Sequence, residues 1–301
     1  MKILSDNILL VLLLILTGLG TISCSEDMEE VNDDVQVTFT ASIKEDVLTR
    51  THAFGKELNV DRLVVGVFDV GLTRQVYRDT FLVNGSSVDI PLSLPKNQAY
   101  RFVFWAYNST CDLYDTKDLR AIKMIMKKEE DGEPVTTTFK EVEKADAFFA
   151  IFPKDDEETG ENHGYMVASE NAEIPTIELH RPLAQINVGT SGTAVPASFT
   201  VENAATRFHP FDGTLSEEED FTWTFAETTT ESFSVKVTET QYNAYSYLAL
   251  GYLFAPLGEK TEAAKKTCQL ELTETDKEIP PFQDAELHAN HRSNIVGSFT
   301  E

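Results

Sequence analysis

From Val35 the chain alternates: Val35, Val37, Phe39 and Ala41 are apolar, while Gln36, Thr38 and Thr40 between them are polar. A two-residue period puts successive side chains on opposite faces, so this segment reads as a half-buried β-strand. The same reading applies to 62–70, 74–83 and 98–107. Asn84-Gly85 marks a tight turn between strands, because both residues tolerate positive φ. Pro91 and Pro95 punctuate the connection that follows. Segments 121–127 and 145–152 are too short for periodicity to separate helix from strand, and polar inserts at 128–135 and 154–164 surround the second of them. Alternation resumes at 174–179. The second half offers strands at 182–190 and near 197–203, 221–225, 232–237, 247–254, 268–273 and 294–299. Many short strands separated by turn signals, with little amphipathic helix, predict an all-β chain of two tandem antiparallel Greek-key β-sandwich domains, 35–180 and 181–301.

Upstream the pattern changes. Lys2 precedes an apolar run from Ile8 to about Gly20, and Thr21, Ile22, Ser23 and Cys24 follow. The run is well short of the ~20 residues a spanning helix needs. Residues 1–23 therefore read as a signal peptide, with Cys24 where a bacterial signal peptidase cuts and lipidates. Acyl chains on Cys24 contribute ~0.8 kcal/mol of membrane affinity per buried methylene, which anchors the mature protein without a transmembrane helix. The other reading is an ordinary secretory peptide with an incidental cysteine. Residues 24–34 are polar and acidic, a tether without packing periodicity.

Composition narrows the function classes. The 301 residues are 42% hydrophobic, enough for a substantial core, and 50 acids against 25 bases give a net charge of -25. With no basic stripe to offset that charge, nucleic acid is excluded as a partner. The acidic runs at 26–34, 129–133, 155–161 and 217–220 read as solvated loops or faces. The run 155–158 lacks the alternating spacing and turn glycine of a calcium loop, and no CxxC or HxxxH occurs, so no metal or cofactor is predicted. Cys111 and Cys268 either pair in an oxidising periplasm or stay apart, with Cys268 alternating with Leu270 and Leu272 like a buried strand cysteine. No Gly-x-Ser-x-Gly elbow is present, and His52, His163, His180, His209, His288 and His291 are scattered. The chain is not read as an enzyme. Trp105 and Trp223 lie in dense strands and read as core; exposed sugar-stacking platforms are the alternative.

Five ordered patterns carry a family resemblance: Tyr100-Arg101-Phe102-Val103-Phe104-Trp105-Ala106; Leu179-His180-Arg181-Pro182-Leu183-Ala184-Gln185-Ile186-Asn187-Val188-Gly189-Thr190; 198–203 leading to Phe211-Asp212-Gly213; 245–256; and Asn290-His291-Arg292-Ser293-Asn294-Ile295-Val296-Gly297. Together, behind a lipoprotein signal, they resemble the fimbrillin family, subunits of type V pili and related surface lipoproteins. The acidic Ser25-Glu26-Asp27 after Cys24 also looks like a surface-export signal of such lipoproteins. The resemblance implies an outer-membrane, surface-exposed protein of the fimbrium, with other pilus subunits as partners and adhesion to a surface ligand as its contribution. It also implies assembly by strand complementation: an arginine-specific protease removes the acylated segment with the first strand, and a partner's strand fills the apolar groove left behind. On this chain the implied processing site is Arg50-Thr51, and Val35, Val37, Phe39 and Ala41 are the groove-filling residues. Arg50 as an uncut loop residue is the competing reading. Relatives commonly continue past the Asn-Ile-Val-Gly segment with donor-strand sequence, whereas Glu301 follows closely here; the expectation is an anchor, terminal or tip subunit, or a shortened relative, in place of a polymerising one. The rival function is a surface glycan-binding lipoprotein with Trp105 or Trp223 facing solvent.

Overall fold

A computed structural model describes residues 33–43, 60–126, 134–154, 164–170, 174–258, 263–273 and 278–300, together with 128–130, 132 and 172. The segment 1–23 read as a signal peptide, Cys24, Arg50, Thr51 and the acidic run 155–158 lie outside the described residues. The first half carries β1 (Asp34–Ile43), β2 (Arg62–Asp69), β3 (Gln75–Leu82), β4 (Ser87–Pro95), β5 (Ala99–Tyr107), β6 (Tyr114–Asp115), β7 (Ile122–Met124) and β8 (Thr136–Thr137). A short helix α1 (Phe139–Glu143) follows, then β9 (Phe148–Phe152), β10 (Met166–Val167) and β11 (Ile177–Leu179). The second half carries β12 (Leu183–Thr190), β13 (Ala197–His209), β14 (Thr214–Phe225), β15 (Ser232–Lys236), β16 (Tyr242–Phe254), β17 (Ala264–Leu272), β18 (Phe282–Leu287) and β19 (Arg292–Gly297). The chain is all-β, as its alternation predicts.

Four sheets organise these strands, in the orders β11-β1-β4, β10-β5-β2-β3 with β9 also on β5, β15-β16-β12-β19, and β18-β17-β13-β14-β8. Most ladders are antiparallel, but β1–β11, β12–β19 and β14–β8 are parallel. The first two sheets face each other across a core built from Val37, Phe39, Leu63, Val65, Phe102, Phe104, Ile90 and Leu92.

Two expectations need correction. The turn at Asn84-Gly85 does not close a hairpin: Gly85 takes φ 95°, and the chain crosses there from the sheet of β3 to the sheet of β4. The supposed connection containing Pro91 and Pro95 is itself a strand, β4. Proline is tolerated because β4 is an edge strand whose only sheet neighbour among the described residues is β1, so a missing N–H breaks no second ladder there.

β2 and β5 also differ from half-buried strands, since both are buried on both faces. Leu63, Val65 and Val67 point into the first core, while Val64 and Phe68 join a larger core that continues into the second half. That outer face is covered by Tyr114, Leu119, Ile122, Met124 and Val142 and by the second half: Trp105 meets Tyr114 at 5.3 Å and Phe254 at 6.3 Å, and Phe149 meets Phe208 at 4.7 Å. β7 pairs with β13 and β8 with β14, so part of the first half is built into a second-half sheet. Residues 35–301 accordingly cluster as one compact unit. Thr138 and Glu141 cap α1 reciprocally, and Phe139 stacks on Phe225 at 4.3 Å.

β12 is buried along its whole length, between antiparallel β16 and parallel β19. Two amides on it are linked to each other and to β19: Gln185 Nε2 donates to Asn187 Oδ1 at 2.9 Å, and Asn187 Nδ2 donates to Asn294 Oδ1 at 2.8 Å. Asn187 and Asn294 are register partners, so an amide pair that reaches from the buried β12 to the exposed face of β19 supports the parallel alignment. Cys111 and Cys268 are both buried, and no disulfide joins them. Burial, with Glu202 nearby, pushes the Cys268 thiol up to about 12, which leaves it without thiolate character at neutral pH.

Candidate functional site

The site the sequence points to is the seat of β1. Its alternation is realised residue for residue, with Val35, Val37, Phe39, Ala41 and also Ile43 buried and the intervening side chains turned outward. Phe39 is fully buried and sits among three rings, 4.8 Å from Phe102, 5.5 Å from Phe104 and 5.6 Å from Phe152. The apolar face of one strand thus closes one side of the first core. Burying each of Val35, Val37, Phe39 and Ile43 is worth ~1.5–3 kcal/mol, an upper figure because the unfolded chain already hides part of that surface.

The bonds that hold β1 laterally are unevenly spread. Against β4, Gln36 Nε2 donates to Ser93 Oγ at 3.0 Å, Thr40 Oγ1 donates to Asp89 Oδ1 at 2.8 Å, and the Ile43 N–H donates to the Ser86 carbonyl at 2.8 Å. Rising positions on β1 meet falling positions on β4, so the two strands run antiparallel. On the other side β11 pairs only with Ala41, Ser42 and Ile43, in parallel. Along 35–40 that edge of β1 has no strand partner among the described residues. The inner wall and one edge therefore bind β1 along its length, while its second edge is engaged only near Ile43.

Of the residues singled out from sequence, Val35, Val37, Phe39 and Ala41 come together on this face. Ile43 extends the set, and Ile90, Leu92 and Leu94 of β4 and Ile177 and Leu179 of β11 contribute to the same core. The alternation of Val88, Ile90, Leu92 and Leu94 signals β4, but the two prolines within it read as loop punctuation. Trp105 is 0% exposed and Trp223 is 4% exposed, so neither is a solvent-facing sugar platform. Trp223 packs over Gly251, where an added Cβ would lie 2.7 Å from the indole. Among the described residues no group of three or more His, Cys, Asp or Glu side chains gathers as a metal site would require.

The Leu179–Thr190 motif serves the join between the halves. Arg181 and Asp146 form a buried ion pair, Nε to Oδ1 at 2.9 Å, with the guanidinium 4.4 Å from the centre of the Phe148 ring. Next to it, the Phe149 and His180 backbones exchange two hydrogen bonds, at 2.8 and 2.9 Å. The helix-to-β9 connection is thereby tied to the start of β12.

No curated protein matches the chain. Among solved structures it is similar to a candidate adhesin of Bacteroides thetaiotaomicron, at 16% identity and a TM-score of 0.48, covering 82% of this chain and 79% of that one. It is also similar to the fimbrial anchor protein Mfa2 of Porphyromonas gingivalis, at 13% identity and a TM-score of 0.41, covering 83% and 82%. The tip fimbrial protein Mfa3 of Porphyromonas gingivalis, with C-terminal truncation, is similar at 14% identity and a TM-score of 0.37, covering 82% and 84%. The model of one family spans residues 28–300, and the chain belongs to that family, a family of unknown function (DUF6562).

Proposed function

We propose that this protein is a structural or accessory subunit of cell-surface fimbriae, acylated at Cys24, held at the outer membrane, and assembled by exchange of its first strand. The observation that carries the reading is the burial of the alternate face of β1, from Val35 to Ile43, in a core that the rest of the first half completes. To leave its sheet β1 gives up its pairing with β4 and only the three-residue ladder with β11 at Ala41, Ser42 and Ile43, and the apolar groove it vacates fits an equivalent strand from a partner subunit. Arg50 lies in the segment that joins β1 to β2, seven residues past Ile43, where a cut separates the strand from the rest of the chain. The sandwiches 35–180 and 181–301 then act as scaffold, and the role is structural rather than enzymatic.

The reading is tested in cells and on the purified chain. Cys24→Ala moves the protein from the membrane fraction to the soluble fraction, and metabolic lipid labelling is lost with it. An arginine-specific protease acting on the folded protein leaves a product beginning at Thr51, and Arg50→Ala prevents that product. Unchanged membrane association in Cys24→Ala, or a folded protein that resists cleavage at Arg50, contradicts the reading.

A further inference from the structure

A cleft of about 610 Å³ opens where the first half meets the tip of the β13–β14 hairpin and the turn before β19. That size falls within the ~300–1,000 Å³ of small-molecule sites, which favour such junctions. We propose that this cleft binds a neutral hexose-containing saccharide, held by Phe211, Asp212, Asn290 and His291. The proposal goes beyond strand exchange and does not depend on it.

The polar groups are fixed in place by the fold. The hairpin turns through residues 210–213, with Gly213 at φ 69° and its N–H donating to the His209 carbonyl at 2.8 Å. Both the N–H and the hydroxyl of Thr214 donate to Asp212 Oδ1, at 2.9 and 2.7 Å. Asp212 is thus held in one rotamer, with Oδ2 available as an acceptor. Burial alone would raise its pKa, but the Thr214 bonds and nearby His209 outweigh it, so the group stays ionised. Asn290 sits at φ 61° in the opposing turn, tied down by its N–H to the Leu183 carbonyl at 2.7 Å. His291 Nδ1 donates to the Ala289 carbonyl at 2.8 Å, which fixes the ring and leaves Nε2 outside that bond.

Phe211 supplies the apolar wall. It meets Phe68 edge to face at 5.5 Å, and the Arg101 guanidinium lies 4.8 Å from its ring centre, so its orientation is set before any ligand arrives. A sugar ring has the matching chemistry: hydroxyls that both donate and accept, and a C–H face that packs on an aromatic. The cleft does not select an ion. Arg181 on its wall is already paired with Asp146, and the other charged residues lining it are the exposed Lys154 and the carboxylate of Asp212, one of each sign.

The test is saturation-transfer NMR on the full chain with maltose, cellobiose, lactose, mannobiose and N,N′-diacetylchitobiose. At least one of these gives transfer, and Asp212→Asn and Asn290→Gly each weaken its binding by about tenfold or more, the loss of one hydrogen bond's worth of affinity. Both variants keep the turns, since Asn retains the Oδ1 acceptor for Thr214 and Gly accepts the φ of position 290. Their unchanged urea midpoints and unchanged release of β1 separate this result from any failure of strand exchange. No transfer from any of the five sugars overturns the proposal, and so does transfer that both variants leave intact.

Discussion

Arg181 and Asp146 are each almost fully shielded from water, at 6% and 8% side-chain exposure, and neither charge has bulk solvent to fall back on. Removing one partner strands the other, so Asp146→Ala lowers stability by ~3–5 kcal/mol. Replacing both with apolar residues, as in Asp146→Leu with Arg181→Met, costs less than the single change; urea titrations that rank the two variants the other way contradict this account. Phe39→Ala empties the middle of the first core and costs ~3–5 kcal/mol. Gly251→Ala costs ~1–3 kcal/mol by overpacking against Trp223, and the same titration measures both. Individual residues were legible in proportion to how local their signal is. The inward face of β1 is read directly from alternation, and the tryptophans are read as core from the density of apolar residues around them. The Arg181–Asp146 pair spans 35 residues of sequence, and no local pattern announces it.

Elements were legible where one face is wet. β1 follows its alternation, whereas β2 and β5 carry apolar residues on both faces because Tyr114, Leu119, Ile122, Val142 and the second half cover the outer one. β4 was obscured by its prolines, which mark an edge strand as readily as a loop. The segments around β6, β7 and β8 are short, and their pairing is set by distant strands, so a sequence window sees only ambiguity. At this scale β1 is held to β4 through facing side chains, and Thr40 with Asp89 is one such pair at 2.8 Å. A disulfide formed in Thr40→Cys with Asp89→Cys locks β1 to β4 and stops it leaving after cleavage in the connecting segment; reduction restores release. If the oxidised and reduced forms release β1 equally, the strand is not the exchanging element.

At the scale of the whole molecule, 50 acids against 25 bases make acid stability a property of the fold. Asp69 is held below its ordinary value by the Thr73 hydroxyl and the Arg74 N–H, Asp118 by the Arg120 guanidinium, and Glu217 by Arg207 and Lys123. Carboxyls depressed in the folded state bind protons more readily when unfolded, so their contribution is present above the unfolded value near 4 and is lost as pH falls through the folded values. Urea midpoints therefore stay level from pH 7 to about 5 and drop steadily below about 4; a midpoint that rises on acidification contradicts the assignment. The interlocking of the halves was hidden from sequence because it rests on one core shared across β5, β13 and β16, while the break near Leu179 shows as a change in pattern. The central claim is that β1 is a replaceable strand, and exchange of a fluorescent peptide copying residues 33–45 tests it most directly. After arginine-specific cleavage the peptide enters the trimmed protein and raises its anisotropy, while intact chain and Arg50→Ala chain exposed to the same protease refuse it. Equal uptake by trimmed and intact protein, or uptake by neither, contradicts the claim.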